Sequence, residues 1–127
     1  IRRHAHHPYI KIRPNADTRT LASALARARL GLHLYQSEHF GIAVGEMIAS
    51  GVLPLVHNSG GVCELVTNPA LRFDDSTELC EIAKRILRSS EKDCQAISDS
   101  LKDGIALNCA RNFDTRLNDI LLPMMTP

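Results

Sequence analysis

The 127-residue sequence has no excess of charge of either sign. Its 15 Lys and Arg side chains are matched by 14 Asp and Glu, so the net charge is +1 with histidine neutral. Partners such as nucleic acid or an anionic membrane select proteins with a strong basic field, which this composition excludes. We therefore expect any ligand to be recognised by a local site.

Long hydrophobic runs are also absent. The longest mainly apolar stretches, 41–51 and 51–56, are interrupted by Glu46 and Ser50. Both fall well short of the roughly 20 residues that cross a bilayer. The sequence predicts neither a membrane span nor a signal peptide.

Cysteines are few and widely spaced, with no CxxC pair among Cys63, Cys80, Cys94 and Cys109. The spacing argues against a zinc knuckle or a disulfide framework and is typical of reduced thiols in a cytosolic setting. We expect these cysteines to be core residues.

The length allows one hydrophobic core. The sequence begins with Ile1 rather than Met, and a basic, His-rich stretch runs at once into a strand-like segment, which indicates a piece of a longer protein. We predict a linker or flexible segment over residues 1–8 and a partial domain over residues 9–127.

Short apolar runs alternate with segments of helical composition. This alternation predicts a Rossmann-like parallel sheet of about four strands with flanking helices, joined by right-handed crossovers. Asp17 is a natural N-cap for the first helix, and Gly51 is a natural end for the second. Ligands of such sheets bind at the carboxyl ends of the strands. The predicted strands are 9–14, 31–36, 52–58 and 70–73.

Two amphipathic helices are predicted after the last strand, as a C-terminal helical extension. Asp74 and Asp75 are expected to cap the first of them. The apolar faces comprise Leu79, Ile82, Ile86 and Leu87 in the first helix, and Cys94, Ile97, Leu101 and Ile105 in the second.

The stretch "SEHFGIAVGE", residues 37–46, places Glu38 in a strand-to-helix loop and Glu46 in the second turn of an apolar helix that we expect to be buried. The helix begins with the amides of Phe40, Gly41 and Ile42, and a helix N-terminus at the strand ends is a ready anion site. Carboxylates accept hydrogen bonds from sugar or ribose hydroxyls. A ligand with sugar, diphosphate and ribose in sequence matches this order of acid, amide and acid.

A second Gly-rich turn, "NSGGVCE", follows the next predicted strand over residues 58–64. Two adjacent strand ends would then present glycine backbone to the same crevice. The convergence of the two turns strengthens the prediction of a site there.

These residues resemble a known family. "EHFGIAVGE", "ASGVLPLVHNSGG" and "ELV", in this order, are similar to the donor-binding half of the GT-B glycosyltransferases of family 4, which carry a Glu-x7-Glu motif. Within that family, the run from "IRPNADTRT" onward is most similar to mannosyltransferases that add α-1,2-linked mannose from GDP-mannose to the lipid-linked oligosaccharide of N-glycosylation. The resemblance covers about residues 9–112 and implies a fragment of a longer enzyme.

The resemblance also implies a role for each matching residue. Glu38, as the catalytic-site acid, would hold the donor hexose hydroxyls, and Glu46 would hold those of the ribose. His39 would shape the loop between them, and the Phe40, Gly41 and Ile42 amides would meet the hexose and diphosphate. Gly60 and Gly61 would line the donor crevice, and the turn from Arg13 to Asn15 would cradle the base.

The family transfers the sugar with retention through an oxocarbenium-like transition state, usually without a metal, so no metal or other cofactor is expected. The resemblance places the parent enzyme in the cytosol or at the cytosolic face of the endoplasmic reticulum, with the acceptor bound by a missing N-terminal domain. The basic pair that neutralises the diphosphate in this family has no match here, and "NPALRF" replaces the usual Gly-x-Leu strand. Without these parts we expect the chain alone to be inactive.

Other interpretations stay open. The chain fits a non-catalytic module that holds a sugar nucleotide, or a metal- or partner-binding domain in which His4, His6 and His7 bind a metal. Glu38 could be a solvated loop acid, and Glu46 a buried acid paired with an arginine. His33 and His57, at strand positions, are expected to be satisfied core or crevice side chains.

Overall fold

A computed structural model describes residues 7–106 of the chain. Strands and helices alternate in this part, as predicted, and a single 3-10 turn, Pro69–Leu71, precedes the last strand. The strands are β1 (Leu30–His33), β2 (Leu53–His57) and β3 (Arg72–Phe73), and the helices are α1 (Thr18–Leu25), α2 (Ile42–Ala49), α3 (Val62–Leu65), α4 (Ser76–Arg88) and α5 (Glu91–Ala106).

The three strands of the described residues form one parallel sheet in the order β1-β2-β3. Leu30 pairs with Leu53 at the start of the β1–β2 ladder, and His57 pairs with Phe73 at the end of the β2–β3 ladder. The central strand is buried from Leu53 to Val56, as expected for a parallel strand covered on both faces. The structure confirms an α/β fold with a parallel sheet, flanking helices and a C-terminal helical extension.

The prediction of a strand over residues 9–14 is wrong. These six residues form no strand and are all exposed, with Tyr9 91% accessible. Partial alternation of apolar residues in one segment does not show whether a second strand is available to pair with it. An extended segment becomes a β-strand only when its backbone forms hydrogen bonds with a partner strand. Pro14 further lacks the N–H that a ladder needs. The described sheet therefore has three strands instead of about four.

Two of the three aspartates predicted as N-caps, Asp17 and Asp75, cap their helices, and Asp74 does not. Asp17 accepts a hydrogen bond from the Thr20 amide at 2.7 Å at the start of α1. Asp75 caps α4, and Glu78 reaches back to accept from the Asp74 amide at 2.8 Å. Such side-chain acceptors satisfy amides that a helix start leaves without a partner.

The end of α2 also matches the sequence prediction. Gly51 has φ of 83°, a left-handed conformation that glycine adopts without a Cβ clash. Its amide donates to the carbonyl of Ile48 at 2.9 Å, and the amide of Val52 donates to that of Met47 at 2.9 Å. This pair of bonds is a Schellman motif, which ends the helix at Ala49 and leaves three residues before β2 begins at Leu53.

Helices α4 and α5 cover the sheet with the apolar faces read from the sequence. Ile82 and Ile86 are buried from α4, and Cys94 and Leu101 are buried from α5. Leu87, placed on the same face of α4, is instead 56% exposed. The other predicted positions of the two faces, Leu79, Ile97 and Ile105, pack against the core while partly exposed.

Two burial predictions are wrong. Helix α2 is not buried all round, because only Val44 and Ile48 are buried and Ile42 is 70% exposed. Strands β1 and β2 and helices α3 and α5 contact α2, while Ala43, Glu46 and Ala49 are exposed along with Ile42. The cysteines are also not all core residues: Cys94 is buried, Cys63 is partly buried and Cys80 is exposed. Cys109 lies outside the described residues.

Within residues 7–106, no helix has both the length and the apolar character needed to cross a bilayer.

Candidate functional site

Two loops meet at the carboxyl edge of the sheet. We call residues 37–41, after β1, the acidic loop, and residues 58–61, after β2, the glycine loop. The amide of Gly61 donates to the carbonyl of Glu38 at 2.6 Å, and the amide of Ser37 donates to Ser59 Oγ at 2.9 Å. The two Gly-rich turns, which the sequence predicts to face the same crevice, are therefore joined directly by hydrogen bonds.

Glycines are required where the two loops touch. A Cβ on Gly61 would overlap the carbonyl oxygen of His39, and one on Gly60 would lie 2.8 Å from the amide nitrogen of Glu38. Gly60 also has φ of 73°, which side chains with a Cβ rarely adopt. The described contacts of these two glycines thus hold the acidic loop in place.

Gly41 forms the start of α2. It is buried and left-handed, with φ of 77°, and a Cβ there would lie 2.6 Å from Val62 Cγ1. No side chain caps this helix start. The first N–H groups of a helix have no acceptor within it and carry the positive end of its dipole, so this end of α2 can accept an anion. The neighbouring side chains of Phe40 and Ile42 are exposed.

Glu38 is folded over the amides of its own loop. Its Oε1 accepts from the amide of His39 at 3.0 Å and from that of Phe40 at 3.4 Å. Its Oε2 lies 3.7 Å from Nε2 of His33, and 29% of the Glu38 side chain is exposed. The carboxylate is half-buried and oriented, which contradicts a freely solvated loop acid. The carboxylate also accepts from the amide of Phe40, which is one of the amides predicted to bind the sugar nucleotide.

Glu46 lies one helical turn after Ile42, on the exposed side of α2. Residues four apart share a helix face, so Glu46 lies on the same exposed face as Ile42, the first residue of the helix. Among the described residues, no ion pair or side-chain hydrogen bond involves Glu46. The alternative of a buried acid paired with an arginine is therefore wrong, and the carboxylate is open to a ligand.

The predicted contact of Arg13 and Asn15 with the nucleotide base stays a prediction. Arg13 and Asn15 lie in the exposed segment before α1, and within residues 7–106 no hydrogen bond or ion pair joins them to either loop. Asn15 has φ of 53°, which is the geometry of a turn. His39 is exposed and contributes its backbone carbonyl to the contact with Gly61.

Two histidines, predicted from the sequence to be ordinary core or crevice residues, support the acidic loop. His57 Nδ1 lies 2.8 Å from Ser59 Oγ, the same hydroxyl that accepts from Ser37, and its ring meets Phe73 edge-on at 5.7 Å. His33 contacts Glu38, yet its Nδ1 is buried with no partner among the described residues, so it is not a satisfied side chain. Each is the last residue of its strand, and this position at the carboxyl edge of the sheet is the sequence feature that could have indicated a role at the site.

Positive charge is scarce at this edge. In the part of the chain that the structure describes, no Lys or Arg makes a hydrogen bond or ion pair with either loop. Arg72, after the glycine loop, instead donates to the carbonyls of Val66 at 2.7 Å and Cys63 at 2.6 Å. The site as described offers amides and carboxylates to a ligand.

Metal binding has no support among residues 7–106, where no group of three or more His, Cys, Asp or Glu is placed to hold an ion. His4 and His6, the first two histidines of the proposed metal motif, lie outside the described residues. The expectation of metal-free chemistry stays a prediction.

Comparison with known proteins gives one family match. The model of the family described as "Glycosyl transferases group 1" matches residues 10–101. No solved structure matches the chain significantly.

Several curated relatives share the name GDP-Man:Man(3)GlcNAc(2)-PP-Dol alpha-1,2-mannosyltransferase. The human protein is 43% identical over 53 residues, which is 42% of this chain and 11% of that protein. The Dictyostelium discoideum protein is 40% identical over 75 residues, 57% of this chain and 15% of that protein. The Xenopus laevis protein is 40% identical over 52 residues, again 11% of its length. The chain thus spans about one seventh or less of these relatives.

Proposed function

Since this chain belongs to the glycosyl transferases group 1 family, we propose that it is the donor-binding part of a hexosyltransferase that uses a nucleotide-diphosphate sugar. The donor is GDP-mannose and the acceptor a lipid-linked oligosaccharide, which is bound by a part of a longer parent outside this chain. The names and the roughly 40% identity of the relatives support this choice of donor and acceptor.

The observation that carries the proposal is the order of groups at the sheet edge. Glu38 lies in the acidic loop, the start of α2 follows at Gly41, and Glu46 lies one turn along the exposed side of the helix. A sugar nucleotide presents hydroxyls, then a diphosphate, then ribose hydroxyls. Carboxylates accept from hydroxyls, and a helix N-terminus donates to phosphate.

Each group then has a role in binding. Glu38 accepts hydrogen bonds from the hexose hydroxyls, and the amides of Gly41 and Ile42, with that of Phe40, meet the diphosphate. Glu46 accepts from the ribose. Gly60 and Gly61 fix the loop that carries Glu38, and Arg13 and Asn15 are proposed for the base only on the resemblance.

Binding requires Glu38 to change partners. Its Oε1 accepts hydrogen bonds from the amides of His39 and Phe40. A diphosphate that takes the Phe40 amide displaces this oxygen, which is then free for a hexose hydroxyl. The exchange trades one set of hydrogen bonds for another, so it costs little free energy.

Transfer needs more than this chain presents. In a retaining transfer, negative charge develops on the leaving diphosphate as the sugar gains oxocarbenium character. Preorganised donors at that charge are the main source of catalysis. The helix amides supply some of this stabilisation, and the cations must come from another part of the parent enzyme. The chain alone is expected to bind the donor and not to transfer it.

The scarcity of cations at the site also supports a second candidate function, a module that holds a sugar nucleotide without transferring it. An activity assay separates the two. Transfer by the full-length parent that Glu38→Ala abolishes supports the enzyme. A parent that binds the donor normally and transfers nothing supports the module.

The binding proposal is tested by titrating the chain with GDP, UDP and GDP-mannose while following backbone amide shifts. We expect the largest shifts at Gly41 and Ile42, with further shifts at Gly61, and a preference for the guanine nucleotides. Absence of any shift with all three compounds would contradict both candidate functions. Equal response to UDP would contradict only the choice of GDP.

A further inference from the structure

His33 and Glu38 form a contact that the proposed function does not use. His33 is the last residue of β1, and its Nε2 lies 3.7 Å from Oε2 of Glu38. Only 14% of the His33 side chain is exposed. The imidazole is thus largely buried beside the carboxylate that is proposed to read the donor hexose.

The burial of His33 selects one neutral tautomer. Nδ1 is buried and has no hydrogen-bond partner among the described residues. A proton on Nδ1 would leave a buried N–H without an acceptor, which is costly. With the proton on Nε2, the Nε2–H group faces the Glu38 carboxylate as a donor, and Nδ1 is unprotonated. The tautomer with Nε2–H is therefore favoured.

The two carboxylate oxygens of Glu38 have different partners. Oε1 rests on the amides of His39 and Phe40, and Oε2 faces His33. A diphosphate competes for the first set and not for the second. When Oε1 leaves the amides, the contact to His33 is the one described restraint that remains on the side chain.

We propose that His33 is a positioning residue: its Nε2–H holds Oε2 of Glu38 so that the carboxylate faces the donor hexose when the loop amides turn to the diphosphate. This role rests on the proposed function. The 3.7 Å separation is expected to shorten to hydrogen-bond length in the bound state. His57 acts differently, since it reaches the loop backbone through Ser59.

Substitution of His33 gives a matched series. His33→Phe keeps the ring and removes the donor. The amide of Gln reaches the position of Nε2, and that of Asn stops at Nδ1, so His33→Gln restores the donor and His33→Asn does not. Leu32→Ala, on the same strand and 53% exposed, is the control for effects on β1.

The affinities for GDP and GDP-mannose separate the possible outcomes. In His33→Phe and His33→Asn we expect the Kd for GDP-mannose to rise about tenfold, with the Kd for GDP unchanged and the affinity recovered in His33→Gln. In Glu38→Ala, a further change at His33 should have no effect. An unchanged GDP-mannose affinity, or an equal loss for both nucleotides, would overturn the positioning role.

A second measurement needs no ligand. Nitrogen chemical shifts of the His33 ring in the free chain should report Nε2–H, and they should move in Glu38→Ala. A ring with its proton on Nδ1, or one insensitive to Glu38, overturns the proposal even if His33→Phe fails to fold. Failure of the wild-type chain to bind either nucleotide would instead contradict the proposed function, and the role of His33 with it.

Discussion

The backbone amide of Gly61 donates to the carbonyl of Glu38 across 2.6 Å, from the loop after β2 to the loop after β1. This bond joins neighbouring strand ends and brings the carbonyl of His39 so close to Gly61 that no Cβ fits between them. The position of the proposed sugar-reading carboxylate therefore depends on a residue that has no side chain.

Gly61→Ala tests this dependence. The added methyl must displace the backbone of the acidic loop, and we expect a loss of about 2 kcal/mol in the free energy of unfolding together with weaker GDP-mannose binding. Chemical denaturation and a binding titration measure the two effects.

Gly104→Ala is the matched control for that substitution. It lies in α5, where nothing is within 4 Å of the added Cβ. Alanine has the higher helix propensity, so this variant should gain about 0.5–1 kcal/mol. If Gly61→Ala were as stable as Gly104→Ala, the contact between the loops would not be as close as described.

The cap of α4 predicts a dependence of stability on acid. Hydrogen bonds from the backbone amides of Glu78 and Thr77 hold the pKa of Asp75 below its ordinary value of 3.8. A lowered pKa means that the ionised form stabilises the fold above pH 3.8, and that this stability is lost as the pH falls through the folded-state value.

Asp75→Asn keeps a capping acceptor without a titrating group. The difference in unfolding free energy between wild type and Asp75→Asn should therefore shrink as the pH is lowered from 5 to below 3.8, and Asp75→Ala should be less stable than both at neutral pH. A difference that stays constant over this range would show that Asp75 does not cap as an ionised group.

Glu46 is predicted to contact only the part of the donor that GDP and GDP-mannose share. Glu46→Ala should raise both Kd values by the same factor, about tenfold for lost hydrogen bonds to a carboxylate. Glu81→Ala, an exposed acid on α4, is the control and should change neither. A loss confined to GDP-mannose would place the hexose at Glu46 and contradict the proposed order.

Much of this architecture follows from local sequence chemistry. The capping aspartates Asp17 and Asp75, the left-handed Gly51 and most of the apolar faces of α4 and α5 are signals carried by a few neighbouring residues, and these are found where predicted. Leu87 and Asp74 are the exceptions. The parallel sheet follows from the alternation of strands and helices.

The parts that were missed depend on neighbours that a sequence does not display. The segment 9–14 has strand-like residues but no partner strand, and Cys80 is apolar in type but lies on the open side of α4. His33 could be placed at a strand end, whereas its contact with Glu38 requires the loop to fold back. Pairing and loop conformation decide these cases.

The orientation of bound GDP-mannose tests the central claim most directly. Intermolecular nuclear Overhauser effects in the complex report which protons of the donor lie near which side chain. The proposed order of acid, amide and acid predicts contacts from hexose protons to Glu38 and from ribose protons to Glu46. The reverse assignment, or contacts to neither acid, would contradict it.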